Sequence, residues 1–316
     1  MSVAAVAIVV ERNKLVGRRI ARVLGCAGYE ARIIENPDAF DAVADVPDGA
    51  LVVADAFDVE AVVGKSLAKP NVQALLYCGE PVDRLIARAL EAPRLVALLG
   101  RASFDAPPRE SDLLLAALAA RGQLPAPPAG GWLHLAPGAA TLAWSIDGPG
   151  HRDAVVGEAV SFVARLGAPK RVGEMIGELA HELIMNALYD APVDAAGKPR
   201  YAHDRKVEIQ LPPEDAATVR IGSDGVRLAV EVTDRFGGLE RRHVFGGLSR
   251  GLSSGQLDTA GGGAGLGMLV AYRSTTGLWW DVVPGKRTRV TGLFDLDLNL
   301  REFRQLPKTL VFREHA

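Results

Sequence analysis

The sequence predicts an α/β protein: a doubly wound, parallel five-stranded sheet in the N-terminal part, then a second domain of α+β order. Three observations carry this expectation. Short apolar runs alternate with amphipathic stretches over the first 105 residues, and the segment Leu124–Gly131 (LPAPPAGG) breaks the composition. Beyond it, helical patterns precede strand patterns and a glycine-rich stretch. A chain of 316 residues fits two domains at roughly 150 residues each. The boundaries fall at residues 1–123 for the first domain, 124–131 for a linker and 132–316 for the second.

In the first domain, the apolar run from Ala4 to Val10 is too short for a membrane span and is read as a buried strand at Val6–Val10. A helical pattern follows from Lys14 to Leu24 and stops at Gly25 and Gly28. Ala31–Ile34 is the next strand, before a helix that opens at Pro37 and Asp38, where proline and an acid suit a first turn. Strands at Ala50–Ala54, Ala74–Tyr77 and Leu95–Leu99 alternate with helices near Val59–Leu67, Val82–Leu90 and Arg109–Arg121. In the second domain, Leu133–Ile146 reads as a strand or hairpin, and His151–Leu166 and Arg171–Tyr189 as helices, the latter stopped by Pro192. Strands are expected at Val207–Leu211, Thr218–Ile221 and Leu228–Thr233, with Ser223-Asp224-Gly225 as a turn. A helix resumes at Met268–Tyr272, and Trp279–Val283 with Arg289–Leu296 closes a hairpin around Pro284-Gly285.

Composition excludes several classes. Lys and Arg total 36 against 38 Asp and Glu, for a net charge of −2, which argues against a protein built to bind nucleic acid. Hydrophobic residues at 48% rule out wholesale disorder. The two cysteines, Cys26 and Cys78, lie in apolar segments, so a reducing cytoplasm is the expected location. Glycine stands out: the chain has 34, concentrated between Gly237 and Gly267.

Three motifs in the second domain carry chemistry. Glu182 and Asn186 are four apart on the long helix and share a face, either as a solvated pair or as oxygen ligands for Mg²⁺ beside a water-polarising carboxylate. Asp234 ends a strand and precedes Gly237 and Gly238, so it is either a turn aspartate or an acceptor for a base's exocyclic amine. The run Gly261–Gly267 (GGGAGLG) leads into a helix, where converging N–H groups suit phosphates. No G-x-G-x-x-G fits it, and Gly64-Lys65-Ser66 lacks the earlier glycine of a P-loop, since position 59 is Val59.

Taken in order, these motifs resemble the GHKL superfamily of Bergerat-fold ATPases, over roughly residues 150–298. That family includes histidine kinase catalytic domains, anti-sigma-factor serine kinases and gyrase-type ATPases. The resemblance implies an α+β sandwich, with ATP and Mg²⁺ as cofactors. It also implies a general base at Glu182, a metal ligand at Asn186 and an adenine-reading carboxylate at Asp234. Gly238 completes the Asp234 motif, and Gly263, Gly265, Leu266 and Gly267 would wrap the phosphates. An ATP lid would span Leu239–Gly262, where Arg250 and Ser253 would approach the terminal phosphate. Phe236 stands where the family has a glycine, and so would pack on the base or alter its pocket. Tyr189 stands where many histidine kinases have a phosphate-binding cation. His181-Glu182-Leu183 superficially resembles the phosphoacceptor box of histidine kinases. Asn186 is the only asparagine between Asn71 and Asn299, so no separate metal-binding box follows, and His181 is read as a helix residue beside the nucleotide site.

The first domain resembles a response-regulator receiver. Asp55 ends the third strand at the phosphoacceptor position, Glu11 follows the first strand, Tyr77-Cys78 replaces the usual hydroxyl residue and Arg101 lies near the usual lysine. Arg12 would repel a metal from this cluster, so Asp55 is expected to be a vestigial phosphoacceptor, or else a plain strand-end turn aspartate, in a pseudo-receiver that serves as an interaction surface. The implied function is that of a two-component-type signalling protein, with Mg-ATP-dependent phosphoryl transfer to a protein partner. The alternative is a nucleotide-gated interaction module without turnover. A signalling protein is the expected partner, a homodimer stays open, and neither direct nucleic-acid nor membrane binding is expected.

Overall fold

The computed structural model describes residues 5–103, 105–125, 131–194, 196–254 and 264–315. The protein is a mixed α/β chain that divides into two compact units. Met1–Ala126 and Glu302–Val311 form the first; Pro127–Arg301 and Phe312–Ala316 form the second. The segment Glu302–Val311 thus groups with the first unit, whereas the sequence reading assigns all of residues 132–316 to the second. Among the described residues no helix is long and apolar enough to cross a membrane.

The first unit carries β1 (Ala5–Val10), β2 (Tyr29–Ile34), β3 (Leu51–Asp55), β4 (Gln73–Cys78) and β5 (Leu95–Gly100), parallel and in the order β2-β1-β3-β4-β5. The order reverses at β1, which places the loops after β1 and β3 side by side, as in doubly wound sheets. Its helices are α1 (Lys14–Cys26), α2 (Ala42–Asp45), α3 (Ile86–Glu91) and α4 (Glu110–Ala120). The helix expected from Pro37 is split into a 3₁₀ turn, Pro37–Ala39, and the short α2. Asn36 and Asp41 each cap a separate start, accepting bonds from the Asp38 and Val43 N–H groups. Leu310 and Val311 of β11 (Thr309–Glu314) pair antiparallel with Leu98 and Ala97 of β5.

The second unit is an antiparallel sheet, β9-β10-β8-β7-β6, built from β6 (Ala140–Ile146), β7 (Ala217–Ser223), β8 (Arg227–Asp234), β9 (Gly277–Val283) and β10 (Arg287–Asp295). Among the described residues four α-helices accompany it: α5 (Arg152–Arg165), α6 (Lys170–Met185), α7 (Arg241–Ser254) and α8 (Ala264–Arg273). Trp280 of β9 is fully buried with Phe245 of α7 and Phe312, ring centroids 6.0 and 6.5 Å away. Two expectations need correction. Of Leu133–Ile146 only β6 is a strand, because Trp132 before it packs on Gly222 of β7 and donates to the Thr141 hydroxyl at 2.8 Å. Val207–Leu211 forms no strand either. Among the described residues its backbone is tied to a neighbouring segment by Leu211 N–H on the Asp147 carbonyl at 2.6 Å, and Pro212-Pro213 then end the supply of donors.

Candidate functional site

Helix α6 buries Val172, Met175, Ile176, Leu179 and Leu183, an apolar stripe at helical spacing. Leu179 lies directly on β10: a Cβ added at Gly292 would come within 2.6 Å of its Cδ2. That close seat fixes the rotation of α6 and with it the direction of Glu182 and Asn186, both half-buried. At Asn186 the helix widens into a π-helical turn, Asn186–Asp190, closed by the Ala191 N–H on the Asn186 carbonyl at 2.9 Å. Such turns often mark functional positions in helices.

Helix α8 passes this turn at close range. A Cβ at Gly267 would fall on Glu182 Oε2 and within 3.6 Å of Asn186 Oδ1. Glycine at 267 therefore lets the α8 backbone lie against the carboxylate and the amide oxygen together. The described helix starts at Ala264, earlier than its expected start at Met268, so Gly265, Leu266 and Gly267 lie within a helix instead of in a preceding loop. Gly263 lies outside the described residues, as does the end of the expected lid beyond Ser254. The described part of that lid is α7, where Arg250 and Ser253 are exposed and the Arg250 guanidinium lies over Gly246 of its own helix.

Asp234 ends β8 on the sheet face that carries α6, two residues along the strand from Val232. Its Oδ1 accepts the Phe236 N–H at 2.8 Å and the Gly237 N–H at 3.3 Å, closing a tight turn. Burial pushes this carboxyl above its ordinary range, and those two N–H groups pull it back. Gly237 has φ +63° and sits against the β9–β10 turn, where a Cβ would meet the Val283 carbonyl and come within 2.8 Å of the Gly285 and Lys286 nitrogens. Phe236 is half-buried and Gly238 exposed.

The sequence reading missed two residues here. Arg205 donates to Asn186 Oδ1 from Nη2 at 3.3 Å and grips Asp190 through Nε at 3.3 Å and through Nη2. Burial raises the Asp190 carboxyl, and Arg205 opposes that rise. Asp190 was legible, since Glu182, Asn186 and Asp190 recur every four residues; nothing local marks Arg205. Tyr189 supplies no charge but holds the Arg205 segment in place, its buried hydroxyl donating to the Val207 carbonyl at 2.7 Å. His181 is half-buried on α6.

In the first unit, Asp55 is buried with Glu11 and Arg101 at the C-terminal edge of the sheet. Arg101 binds Asp55 through Nη2 and lies 3.6 Å from Glu11 through Nη1. Tyr77 donates its hydroxyl to Glu11 at 2.6 Å, and the Phe57 N–H donates to Asp55 at 2.9 Å. Burial raises the Asp55 carboxyl against the pull of Phe57 and Arg101. The cation in the acidic pocket is thus Arg101. Arg12, expected there, pairs instead with Asp58 at 2.5 and 2.9 Å. Burial pushes the neighbouring Cys78 thiol up to about 12, which keeps it protonated and unreactive at neutral pH. Among the described residues no group of three or more His, Cys, Asp or Glu side chains is arranged to hold a metal.

No family model matches the chain, and no curated protein is similar to it.

Proposed function

We propose that the second unit binds ATP with Mg²⁺ and transfers a phosphoryl group to a protein partner, in the manner of the GHKL kinases. The observation that carries the proposal is the convergence on Gly267, where α8 lies against the Glu182 carboxylate and the Asn186 amide oxygen. The donors at this point are oxygens only, which suits Mg²⁺ over softer metals. When bound, Mg²⁺ would neutralise the phosphate oxygens and favour attack on the terminal phosphorus.

The chain's own residues take the remaining roles. Asn186 would hold the cation through Oδ1. Glu182 would receive the proton of the acceptor hydroxyl, or of a water, as that oxygen bonds the terminal phosphorus and the bond to the bridging oxygen breaks, releasing ADP. The N-terminal end of α8, with Gly265, Leu266 and Gly267, would face phosphate oxygens. Asp234, held by the turn N–H groups and by Thr288, would accept the amino group of adenine, with Phe236 beside the base. The first unit serves as a receiver-like interaction surface, in which Arg101 keeps Asp55 from accepting a phosphoryl group. An acid pocket already neutralised by guanidinium has no call for the Mg²⁺ that such transfer needs.

The decisive comparison is Glu182→Gln with the native chain, given labelled ATP and Mg²⁺. Binding is expected to stay within about threefold while turnover falls about 100-fold or more, the usual contribution of a general base. Undiminished turnover in Glu182→Gln would remove Glu182 from that role. Binding without turnover in the native chain would make the unit a gated interaction module.

A further inference from the structure

We propose that Arg205, positioned by Asp190, binds the terminal phosphate at this site and makes cation binding at Asn186 conditional on a bound polyphosphate. The proposal rests on the ATP reading above. Its starting point is one shared atom. Asn186 Oδ1, the oxygen assigned to the cation, accepts a hydrogen bond from Arg205 Nη2 at 3.3 Å. Magnesium–oxygen distances are about 2.1 Å, so a cation on the same oxygen would lie within about 5.5 Å of that nitrogen.

Two positive centres at that separation repel in a half-buried site, and Arg205 cannot simply leave. Asp190 holds its Nε and Nη2, and the Tyr189 hydroxyl pins the chain two residues further on at Val207. The repulsion is relieved by an anion that touches both centres. A phosphate oxygen bound to the cation would lie within hydrogen-bonding reach of the guanidinium, and among the described residues Arg205 Nη1 makes no hydrogen bond, so that edge is open for it. Asp190 is then a positioning residue: it fixes the guanidinium plane and touches no substrate. The terminal phosphate, the farthest along a triphosphate, gains most from this contact, so triphosphates are preferred over diphosphates.

The test uses the full chain and Mn²⁺, whose free concentration is read by electron paramagnetic resonance. The native chain is expected to take up Mn²⁺ with ATP present and not from Mn²⁺ alone. Arg205→Gln is expected to bind Mn²⁺ alone at least tenfold more tightly than the native chain. In Mn²⁺ it should bind ATP at least tenfold more weakly and lose less than threefold for ADP. Arg205→Lys keeps the charge but not the two-point grip on Asp190. It should still exclude Mn²⁺ alone and lose at least threefold for ATP, which decides the matter should the glutamine variant fail to melt cooperatively. Native binding of Mn²⁺ alone as tight as with ATP would overturn the proposal. So would ATP affinities within twofold of native in both variants. If the native chain binds no ATP at all, the ATP reading itself fails, a result distinct from native binding that Arg205 does not influence.

Discussion

Replacing Arg101 by methionine is expected to cost the first unit about 3–5 kcal/mol at neutral pH, the range for removing one partner from a buried ion pair. Arg101, Glu11 and Asp55 are all nearly inaccessible, with side-chain exposures of 1%, 2% and 6%. Without the guanidinium, two buried carboxylates face each other, held among the described residues by the Tyr77 hydroxyl and the Asn13 and Phe57 N–H groups. The Asp55 carboxyl, already raised by burial, then keeps its proton to still higher pH in the folded chain than in the unfolded one. Protonation favours the fold in that case, so the loss is full above that raised value and shrinks as the pH falls through it. Urea unfolding at pH 7 and pH 5 checks this. An equal loss at both pH values, or none, would show that Arg101 does not neutralise the pocket. Since total stabilities run about 5–15 kcal/mol, the predicted loss is large enough to measure without ambiguity.

Gly237→Ala is expected to destabilise the second unit by about 3 kcal/mol and to weaken nucleotide binding with it. A left-handed residue with a side chain costs about 1–3 kcal/mol by itself. Here the added carbon also meets the Val283 carbonyl and the Gly285 and Lys286 nitrogens, backbone atoms that cannot rotate away. Relief requires moving either the β9–β10 turn or the turn whose N–H groups bond Asp234. The neighbouring Gly238→Ala provides the control. Nothing lies within 4 Å of a Cβ there, so its effect is expected within about 0.5 kcal/mol. Thermal unfolding of the pair separates the two. Equal melting temperatures would mean that the Asp234 turn is not held by its fit against the hairpin.

These two sites illustrate what local pattern can reveal. The strands of the first unit were legible because parallel strands covered on both faces read as continuous apolar runs, such as Leu51–Ala54 and Ala74–Tyr77. Glu182 and Asn186 were legible because helical spacing alone puts them on one face. Helix α7 was not: Gly246, Gly247 and Gly251 lower its intrinsic propensity, and it read as part of a lid. Its helicity comes from burying Val244, Phe245 and Leu248, and Gly251 admits Leu269 of α8 at close range. Val207–Leu211 failed in the opposite direction. Its alternation is that of a strand, but a strand needs a neighbour with matching donors and acceptors, which no residue pattern reveals. Two further features depend on partners far along the chain: the pairing of Leu310 and Val311 with β5, and the reach of Arg205 to Asn186. Arg101 lay in between, its position legible near the end of β5 and its ion pair with Asp55 not.

The central claim, that the second unit is an ATP site built on Glu182, Asn186, Asp234 and the α8 N-terminal turn, is tested most directly by calorimetric titration. The full chain, its Asn186→Ala variant and its Asp234→Ala variant would each be titrated with ATP in the presence of Mg²⁺, after circular dichroism shows that all three are folded. The account predicts saturable binding by the native chain and at least tenfold weaker binding by each variant. No saturable heat from the native chain, or one affinity shared by all three, would contradict it.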